Sequence, residues 1–137
     1  MGEPICEFQS NDEMQKCLKE WQERLFLNDW IIKVIKVSRA DMPLDLAGRN
    51  EYQVENKCSV ISLIEADEDV KSRIVKYCEE KILVHELLHC KYNLIEDCNG
   101  SYEGKHLEIT EHMLLEQMAK SLIMAKYNVG FEWFKNF

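Results

Sequence analysis

Residues 85–89, with the sequence HELLH, are the part of this chain whose residue types and spacing suit chemistry. His85 and His89 are four positions apart, and on a helix this spacing puts both imidazoles on one face, within reach of a single metal ion. Glu86 follows the first histidine, so its carboxylate can contact a water on that metal and take its proton. The pattern predicts a zinc site with a general base beside it.

The residues around this motif predict the helix that has to position it. The segment from about Asp67 to Leu94 contains no Gly or Pro, and its acidic residues at 67–69 suit the positive end of a helix dipole. Apolar residues recur at spacings of three and four, which predicts one buried stripe that includes both histidines, with Glu79 and Glu80 on other faces. Buried imidazoles need partners, and a metal ion satisfies both; the alternative is two histidines that merely belong to the core or the surface.

A catalytic zinc site usually has three protein ligands, so a third donor has to follow the motif. The extended pattern H-E-x-x-H-x-x-G-x-x-H is excluded, because Tyr92 occupies its glycine position and Ile95 its last histidine position. The donors that remain downstream are Glu96, Asp97, Glu103, His106, Glu108, Glu111, His112 and Glu116.

The faces of a last helix, predicted over residues 106–128, rank these donors. Glu111 falls near the centre of its apolar stripe and Glu108 at the margin, whereas His112 and Glu116 point away. A glutamate on an apolar face is costly unless a strong positive charge pairs with it, so Glu111 is predicted as the third ligand. Glu108 and His112 are the alternatives; His112 could instead orient the substrate or stabilise an oxyanion, and Glu111 could be solvated beyond the core. The predicted stripe consists of Leu107, Leu114, Leu115, Met118, Leu122 and Ala125.

The remaining segments predict the fold class. The β-branched residues 30–37 predict a strand, and residues 49–54 and 57–64 predict two more that are joined by a short turn. The strand at 57–64 is apolar on both faces, so it is expected at the centre of the sheet. We therefore predict an α+β fold with an N-terminal helix, a three-stranded and mostly antiparallel sheet, the motif helix, and a C-terminal helix that carries Glu111.

Two terminal features complete this outline. A capping box at residues 10–13 opens the N-terminal helix, which is expected to extend to about Leu27. The aromatic tail at residues 131–137 is expected to dock on the core, because aromatic area is costly to leave in water. Between the motif helix and the last helix, residues 95–105 are expected to form a loop.

Composition limits the class of protein. The length of 137 residues predicts a single domain over residues 1–137, and 46% apolar with 31% charged residues is typical of soluble globular proteins. The net charge of −8 argues against binding to nucleic acid or anionic membranes. No apolar run is long enough for a membrane span and the N-terminus lacks a signal sequence, so a cytoplasmic location with free thiols is expected. The oligomeric state is left open.

The motif and its surroundings resemble the gluzincin metallopeptidases. In size and order the chain is similar to minigluzincins and to small HEXXH proteins of phages and of prophage regions in Gram-positive bacteria. Those proteins share a strand that begins near a Trp, here Trp30, an H-E-L-L-H helix, and a later helix whose pattern corresponds here to Glu111 through Met118-Ala119. The similarity covers about residues 29–125. One departure is Leu115, since gluzincins often carry an acidic residue at this position, four after the ligand glutamate.

This resemblance implies a zincin-like domain and a zinc-dependent peptidase, an endopeptidase rather than an exopeptidase. His85, His89 and Glu111 are then the zinc ligands, and Glu86 is the general base. Zinc polarises the scissile carbonyl, and His112, Tyr92 or Tyr102 can assist it. The substrate is a peptide or protein that lies along an edge strand, for which residues 49–54 are the candidate. The alternative is a regulatory or binding module on the same scaffold, in which the metal is structural or absent.

Overall fold

The computed structural model describes residues 2–43, 46–92 and 102–137, with residues 102–107 described by their backbone only. It confirms an α+β fold. No helix within these ranges is long and apolar enough to cross a membrane. The elements, in chain order, are α1 (Asn11–Arg24), β1 (Ile31–Val37), β2 (Gly48–Gln53), β3 (Cys58–Ile64), α2 (Glu68–Lys71), α3 (Glu79–Lys91) and α4 (Tyr102–Tyr127), with short 3-10 turns at Arg39–Asp41 and Phe131–Phe134.

The sheet is mixed, so the prediction of a mostly antiparallel sheet was wrong. Its strand order is β1-β3-β2, with β1 parallel to β3 and β2 antiparallel to β3. The connection after β1 takes the chain to the far edge of the sheet, and the hairpin from β2 then returns β3 to the middle. A turn closes this hairpin, in which the Lys57 N–H donates to the Val54 carbonyl at 3.2 Å. The predicted central position of β3 is confirmed.

The helix predicted from about Asp67 to Leu94 is in fact two helices, because residues 72–78 are not helical. The C-terminal tail holds this intervening segment. The Lys76 N–H donates to the Phe134 carbonyl at 2.7 Å, and Asn136 Nδ2 donates to two main-chain carbonyls at 2.8 and 2.9 Å. These long-range bonds take up backbone groups that a continuous helix would use, so tertiary contacts override the local pattern.

α3 is buried on all sides, and not along a single stripe as predicted. It packs against α1, α4, β2 and β3. Glu79 and Glu80, which the pattern put on polar faces, have no exposed surface. Burial of two carboxylates is tolerated because each accepts several hydrogen bonds, including one from an ammonium group. The donors are Lys36, Tyr77 and the Phe8 N–H for Glu79, and Lys126, Tyr127, Trp21 and the Ile5 N–H for Glu80.

α4 turns a different row of residues toward the core than the sequence pattern predicted. Leu114, placed in the predicted stripe, is about half exposed at 48%. The buried row starts at Glu111, and the adjacent row that holds His112 and Glu116 borders α3 instead of pointing away from it. α4 also begins earlier than predicted, at Tyr102, so residues 102–105 are helix and not loop, whereas residues 93–101 lie outside the described part of the chain. The buried row is Glu111, Leu115, Ala119 and Ile123.

The terminal segments pack as predicted in part. The Ser10 side chain caps α1 by accepting from the Glu13 N–H at 3.1 Å, as the capping box predicts, although α1 ends at Arg24. In the tail, Phe134 is buried, while Phe137 is exposed. The tail therefore docks through its middle and not through its end.

Candidate metal centre

α3 and α4 bring three histidines together. His85 and His89 come from α3 and His112 from α4, and one ring nitrogen of each lies within 4.8 Å of the others. The ring centroids are 5.1 Å apart for His85 and His89, 5.7 Å for His85 and His112, and 4.7 Å for His89 and His112. One ion placed among these nitrogens can therefore be reached by all three imidazoles.

His85 has a carboxylate partner on α4. Its Nδ1 lies 3.1 Å from one oxygen of Glu116, and the other Glu116 oxygen accepts a hydrogen bond from Lys81 Nζ at 2.8 Å. Burial opposes ionisation, but the hydrogen bond from His85 and the charge of Lys81 outweigh it and lower the pKa of Glu116 to about 2. An ionised carboxylate can only accept, so Nδ1 of His85 carries a proton and a neutral ring leaves Nε2 free for a metal.

His89 lies deeper than His85 and is held in its neutral form. Burial, with the neighbouring rings of His85 and His112, lowers the pKa of His89 to about 3. A neutral imidazole at pH 7 is the form that ligates metals. Burial likewise lowers the pKa of His112. The rings of His89 and His112 are thus in the neutral form that can bind a metal.

Glu111 faces the inner nitrogen of His89. The distance from Nδ1 of His89 to Oε1 of Glu111 is 3.7 Å, which is longer than a hydrogen bond. Both Glu111 oxygens are buried, and no donor in the described part of the chain bonds to them. Burial raises the pKa of Glu111. A buried carboxylate without donors is costly, so the Glu111 carboxylate calls for a positively charged or donating partner.

Glu86 is buried between the histidines and strand β2. Burial raises the pKa of Glu86 to about 7, with Glu116 adding to this effect and His85 opposing it. Its main-chain carbonyl accepts a hydrogen bond from Asn50 Nδ2 at 2.6 Å. A carboxylate with a pKa near 7 is well matched to accept and return a proton near neutral pH.

One cleft of about 660 Å³ is lined by the three histidines, Glu86 and Glu116, but not by Glu111. β2 forms one wall with Gly48, Asn50 and Tyr52, α3 lies below, and α4 contributes Glu108 and His112 to the opposite side. A second hollow of about 710 Å³ lies between α1 and the end of α4, and none of its described lining residues is a histidine. The chemistry-bearing side chains therefore open into the first cleft.

The structure brings His85, Glu86, His89 and His112 to this cleft, as expected for site residues. Glu111 does not join the group of three ring nitrogens, so its assignment as the third ligand stays a prediction. The side chain of Tyr102 and the donors Glu96, Asp97, Glu103 and His106 lie outside the described residues or side chains.

Sequence reasoning did not consider Lys81, and it set Glu116 aside as pointing away from the core. A signal for each existed in helical spacing, because Lys81 is four residues before His85 and Glu116 is four residues after His112. The resemblance to gluzincins suggested an acidic residue at position 115, where this chain has leucine; one residue later, Glu116 provides a carboxylate that contacts His85.

The donor set fits a zinc ion. Three imidazoles form one of the established donor sets of catalytic zinc, with a fourth position open. Histidines that bind metals usually direct their second nitrogen at a carboxylate or carbonyl, and His85 meets this condition through Glu116. Glu111 can be the carboxylate partner of His89 if a movement of a few tenths of an ångström shortens their 3.7 Å separation to a hydrogen bond. That bond would also give the buried Glu111 carboxylate a donor.

Comparison of the chain with protein-family models, with curated proteins and with solved structures finds no match. The arrangement of the site is therefore the basis on which a function can be assigned.

Proposed function

We propose that this protein is a zinc-dependent peptidase in which His85, His89 and His112 bind the metal and Glu86 is the general base. The observation that carries the proposal is the cluster of three ring nitrogens within 4.8 Å of one another, in the same cleft as a buried glutamate. His112 takes the third position because it belongs to this cluster. Glu111 then acts as the carboxylate partner of His89.

The chemistry follows from these roles. Zinc bound there would act as a Lewis acid and lower the pKa of a coordinated water from about 15.7 to about 7. Glu86 accepts a proton from the attacking water and delivers it to the leaving amine, and acid–base catalysis of this kind contributes about 10²- to 10⁴-fold in rate. Glu116 and Glu111 keep the rings of His85 and His89 oriented, so that Nε2 of each faces the cleft.

The cleft suits an extended peptide as the substrate. β2 pairs with β3 on one side and is an edge strand of the described sheet, so its other side can add a peptide strand through main-chain hydrogen bonds. Such bonds recognise the body of a chain and not its terminus. Cleavage within a chain is therefore proposed, in preference to removal of terminal residues.

The test is the substitution Glu86→Gln, which keeps the shape of the side chain but removes the base. We expect this variant to bind one zinc per chain as the wild type does and to lose at least 100-fold in hydrolysis of denatured casein. Glu23→Gln, an exposed position on α1, is the control and should keep full activity.

Each other outcome has a definite meaning. Hydrolysis by Glu86→Gln at the wild-type rate would refute the role of Glu86. A wild-type protein that binds zinc and cleaves nothing would support the alternative of a binding module with a structural metal. A wild-type protein that binds no zinc would refute the metal site.

A further inference from the structure

β2 approaches α3 closely at Gly48, so that a side chain added there would crowd Ile82 and Glu86 of α3. A Cβ atom built on Gly48 would lie 2.5 Å from Cγ2 of Ile82, well inside any real contact. The same atom would lie 3.3 Å from Oε2 and 3.4 Å from Cγ of Glu86. A glycine here thus leaves room for two side chains of α3, and one of them carries the carboxylate of the proposed base.

Asn50, two residues further along β2, fixes the same turn of α3 from the backbone side. Its Nδ2 donates to the Glu86 carbonyl at 2.6 Å and to Cys90 Sγ at 3.2 Å. Its Oδ1 accepts a hydrogen bond from the Ser59 hydroxyl on β3. The side-chain amide of Asn50 is therefore bonded at both ends, and it links β3 to the main chain of Glu86.

We infer that Gly48 and Asn50 are positioning residues that together seat Glu86, with Asn50 fixing its main chain and Gly48 limiting where its carboxylate can lie. This inference rests on the proposed function, because it assigns the place of the general base. Gly48 and Asn50 lie on the same face of β2, since side chains two residues apart point to the same side of a strand. Both also line the cleft, so β2 serves at once as a wall of the cleft and as the support of its base.

Glu86 needs neighbours that position it, because few other contacts fix the orientation of its carboxylate. Among the described residues, the hydrogen bond that reaches Glu86 from outside α3 goes from Asn50 to its main-chain carbonyl, and none reaches its carboxylate. A carboxylate without donors is oriented by packing, and a Cβ added at Gly48 would lie 3.3 Å from its Oε2, so the bare glycine sets how much room the carboxylate has on this side. Displacement of a catalytic group by about 1 Å can cost about 100-fold in rate, so the fit at this position is expected to matter.

The first experiment compares Gly48→Ala with Gly130→Ala. A Cβ at Gly130 meets nothing within 4 Å, which makes that variant a matched control for the same chemical change. We expect Gly48→Ala to lower kcat about 100-fold, with KM and the zinc dissociation constant within about twofold of wild type. We expect Gly130→Ala to leave all three unchanged.

A second variant keeps the inference testable if Gly48→Ala folds poorly. Gly48→Ala combined with Ile82→Ala removes the 2.5 Å clash with Ile82 and leaves the contact with Glu86. Ile82→Ala alone provides the reference. If the double variant has normal zinc affinity but a kcat far below that of Ile82→Ala, the seat at Glu86 is supported. If its kcat equals that of Ile82→Ala, Gly48 acts only through Ile82 and the inference is overturned.

The role of Asn50 is tested by Asn50→Ala against Ser59→Ala, which removes the bond from Ser59 but leaves Asn50 bonded to Glu86. We expect a loss of kcat with retained zinc affinity in Asn50→Ala and a much smaller loss in Ser59→Ala. Equal losses in the two variants would overturn the role of Asn50.

An NMR measurement separates this inference from the proposed function. Cross-relaxation between the Hα protons of Gly48 and the Hγ protons of Glu86 reports the contact with no need for turnover. If wild type shows the contact but cleaves no substrate, the proposed function fails and the seat remains as a structural feature. If the contact is absent, the seat is overturned whatever the activity.

Discussion

At the scale of single residues, two charges decide which nitrogen of His85 is available to a ligand. Glu116 lies between Lys81 Nζ at 2.8 Å and His85 Nδ1 at 3.1 Å, and the Lys81 side chain is only 9% exposed. The ammonium keeps the carboxylate ionised, and the ionised carboxylate keeps the proton of His85 on Nδ1. Lys81 thus acts on the metal site through Glu116.

Substitution of Glu116 tests this chain of contacts. Glu116→Gln is expected to weaken zinc binding by about 10- to 100-fold, because His85 loses its charged partner. Lys81→Met should give a smaller loss in the same direction. Lys120→Met is the matched control, since Lys120 Nζ lies farther from Glu116, at 4.0 Å, and should have little effect. Competition with a chelator measures the affinities, and wild-type affinity in Glu116→Gln would contradict the assignment.

The sequence predicted part of this site, for a definite reason. His85, Glu86 and His89 belong to one turn-and-a-half of one helix, so their relation depends on spacing alone. His112 belongs to a second helix, and its place depends on which row of α4 meets α3. The sequence prediction counted Leu114 as a core residue and therefore assigned the wrong face of α4 to the core. The structure shows that Leu114 is about half exposed.

At the scale of elements, the start of α3 is capped by the N-terminal segment of the chain. The Glu79 N–H donates to the Cys6 carbonyl at 2.9 Å and the Glu80 N–H to the Ile5 carbonyl at 3.1 Å. The Ile5 N–H donates back to Glu80 at 3.0 Å. The first N–H groups of a helix have no partner within it, so this segment supplies what α3 lacks. The helix that carries His85 is therefore anchored by distant residues.

Glu80→Gln is expected to lower the free energy of unfolding by about 3 kcal/mol. The change removes the more buried of the two carboxylates paired with Lys126, at 2.8 Å, leaving Glu20 at 2.6 Å, and it reduces the acceptors for Trp21 and Tyr127. Urea unfolding measures the effect, with the exposed Glu23→Gln as a control that should not change it. A stability for Glu80→Gln within about 0.5 kcal/mol of wild type would show that this network contributes little.

The same carboxylate predicts loss of stability in acid. Burial raises the pKa of Glu80, but hydrogen bonds from Lys126, Tyr127 and the Ile5 N–H outweigh burial and place it below the ordinary 4.5. A folded-state pKa below the unfolded one gives stability that is present above about pH 4.5 and is lost as pH falls through the folded value. The free energy of unfolding should therefore fall as the pH is lowered below 4.5, and it should fall less steeply in Glu80→Gln. Identical slopes would contradict this role.

How far sequence could predict the elements depends on the range of the contacts. The strands were predictable, because β-branched runs and apolar residues on both faces of β3 are local signals. The break at residues 72–78 was not predictable, since this segment donates a hydrogen bond to the Phe134 carbonyl and accepts one from the Asn136 side chain, both in the distant tail. The parallel pairing of β1 with β3 was hidden for a similar reason, because it depends on the path of a connection and not on residue types.

At the scale of the whole molecule, a metal among the three histidines would join the first half of α4 to the rest of the fold. α3 contacts the sheet and α1, whereas α4 packs mainly on α3. A ligand that binds only the folded state stabilises it by mass action, by about 4.1 kcal/mol at a free concentration 1,000 times its dissociation constant. Zinc at the proposed site would therefore be a structural link as well as the source of the proposed chemistry.

Removal of zinc with a chelator is expected to lower the Tm by several degrees, and re-addition should restore it. Hydrogen exchange should increase around His112 in α4 more than in β3, which lies away from the metal. Calcium or magnesium in place of zinc should not restore the Tm, because three imidazoles do not suit these oxygen-seeking ions. A Tm that is independent of chelator would contradict the link between the helices.

The measurement that tests the central claim most directly is the zinc affinity of His112→Ala set beside that of Glu111→Gln. If the three histidines are the ligands, His112→Ala loses more than 100-fold in affinity and Glu111→Gln only about tenfold, as expected for a ligand and for the partner of a ligand. The reverse order would make Glu111 the third ligand and would contradict the three-histidine centre.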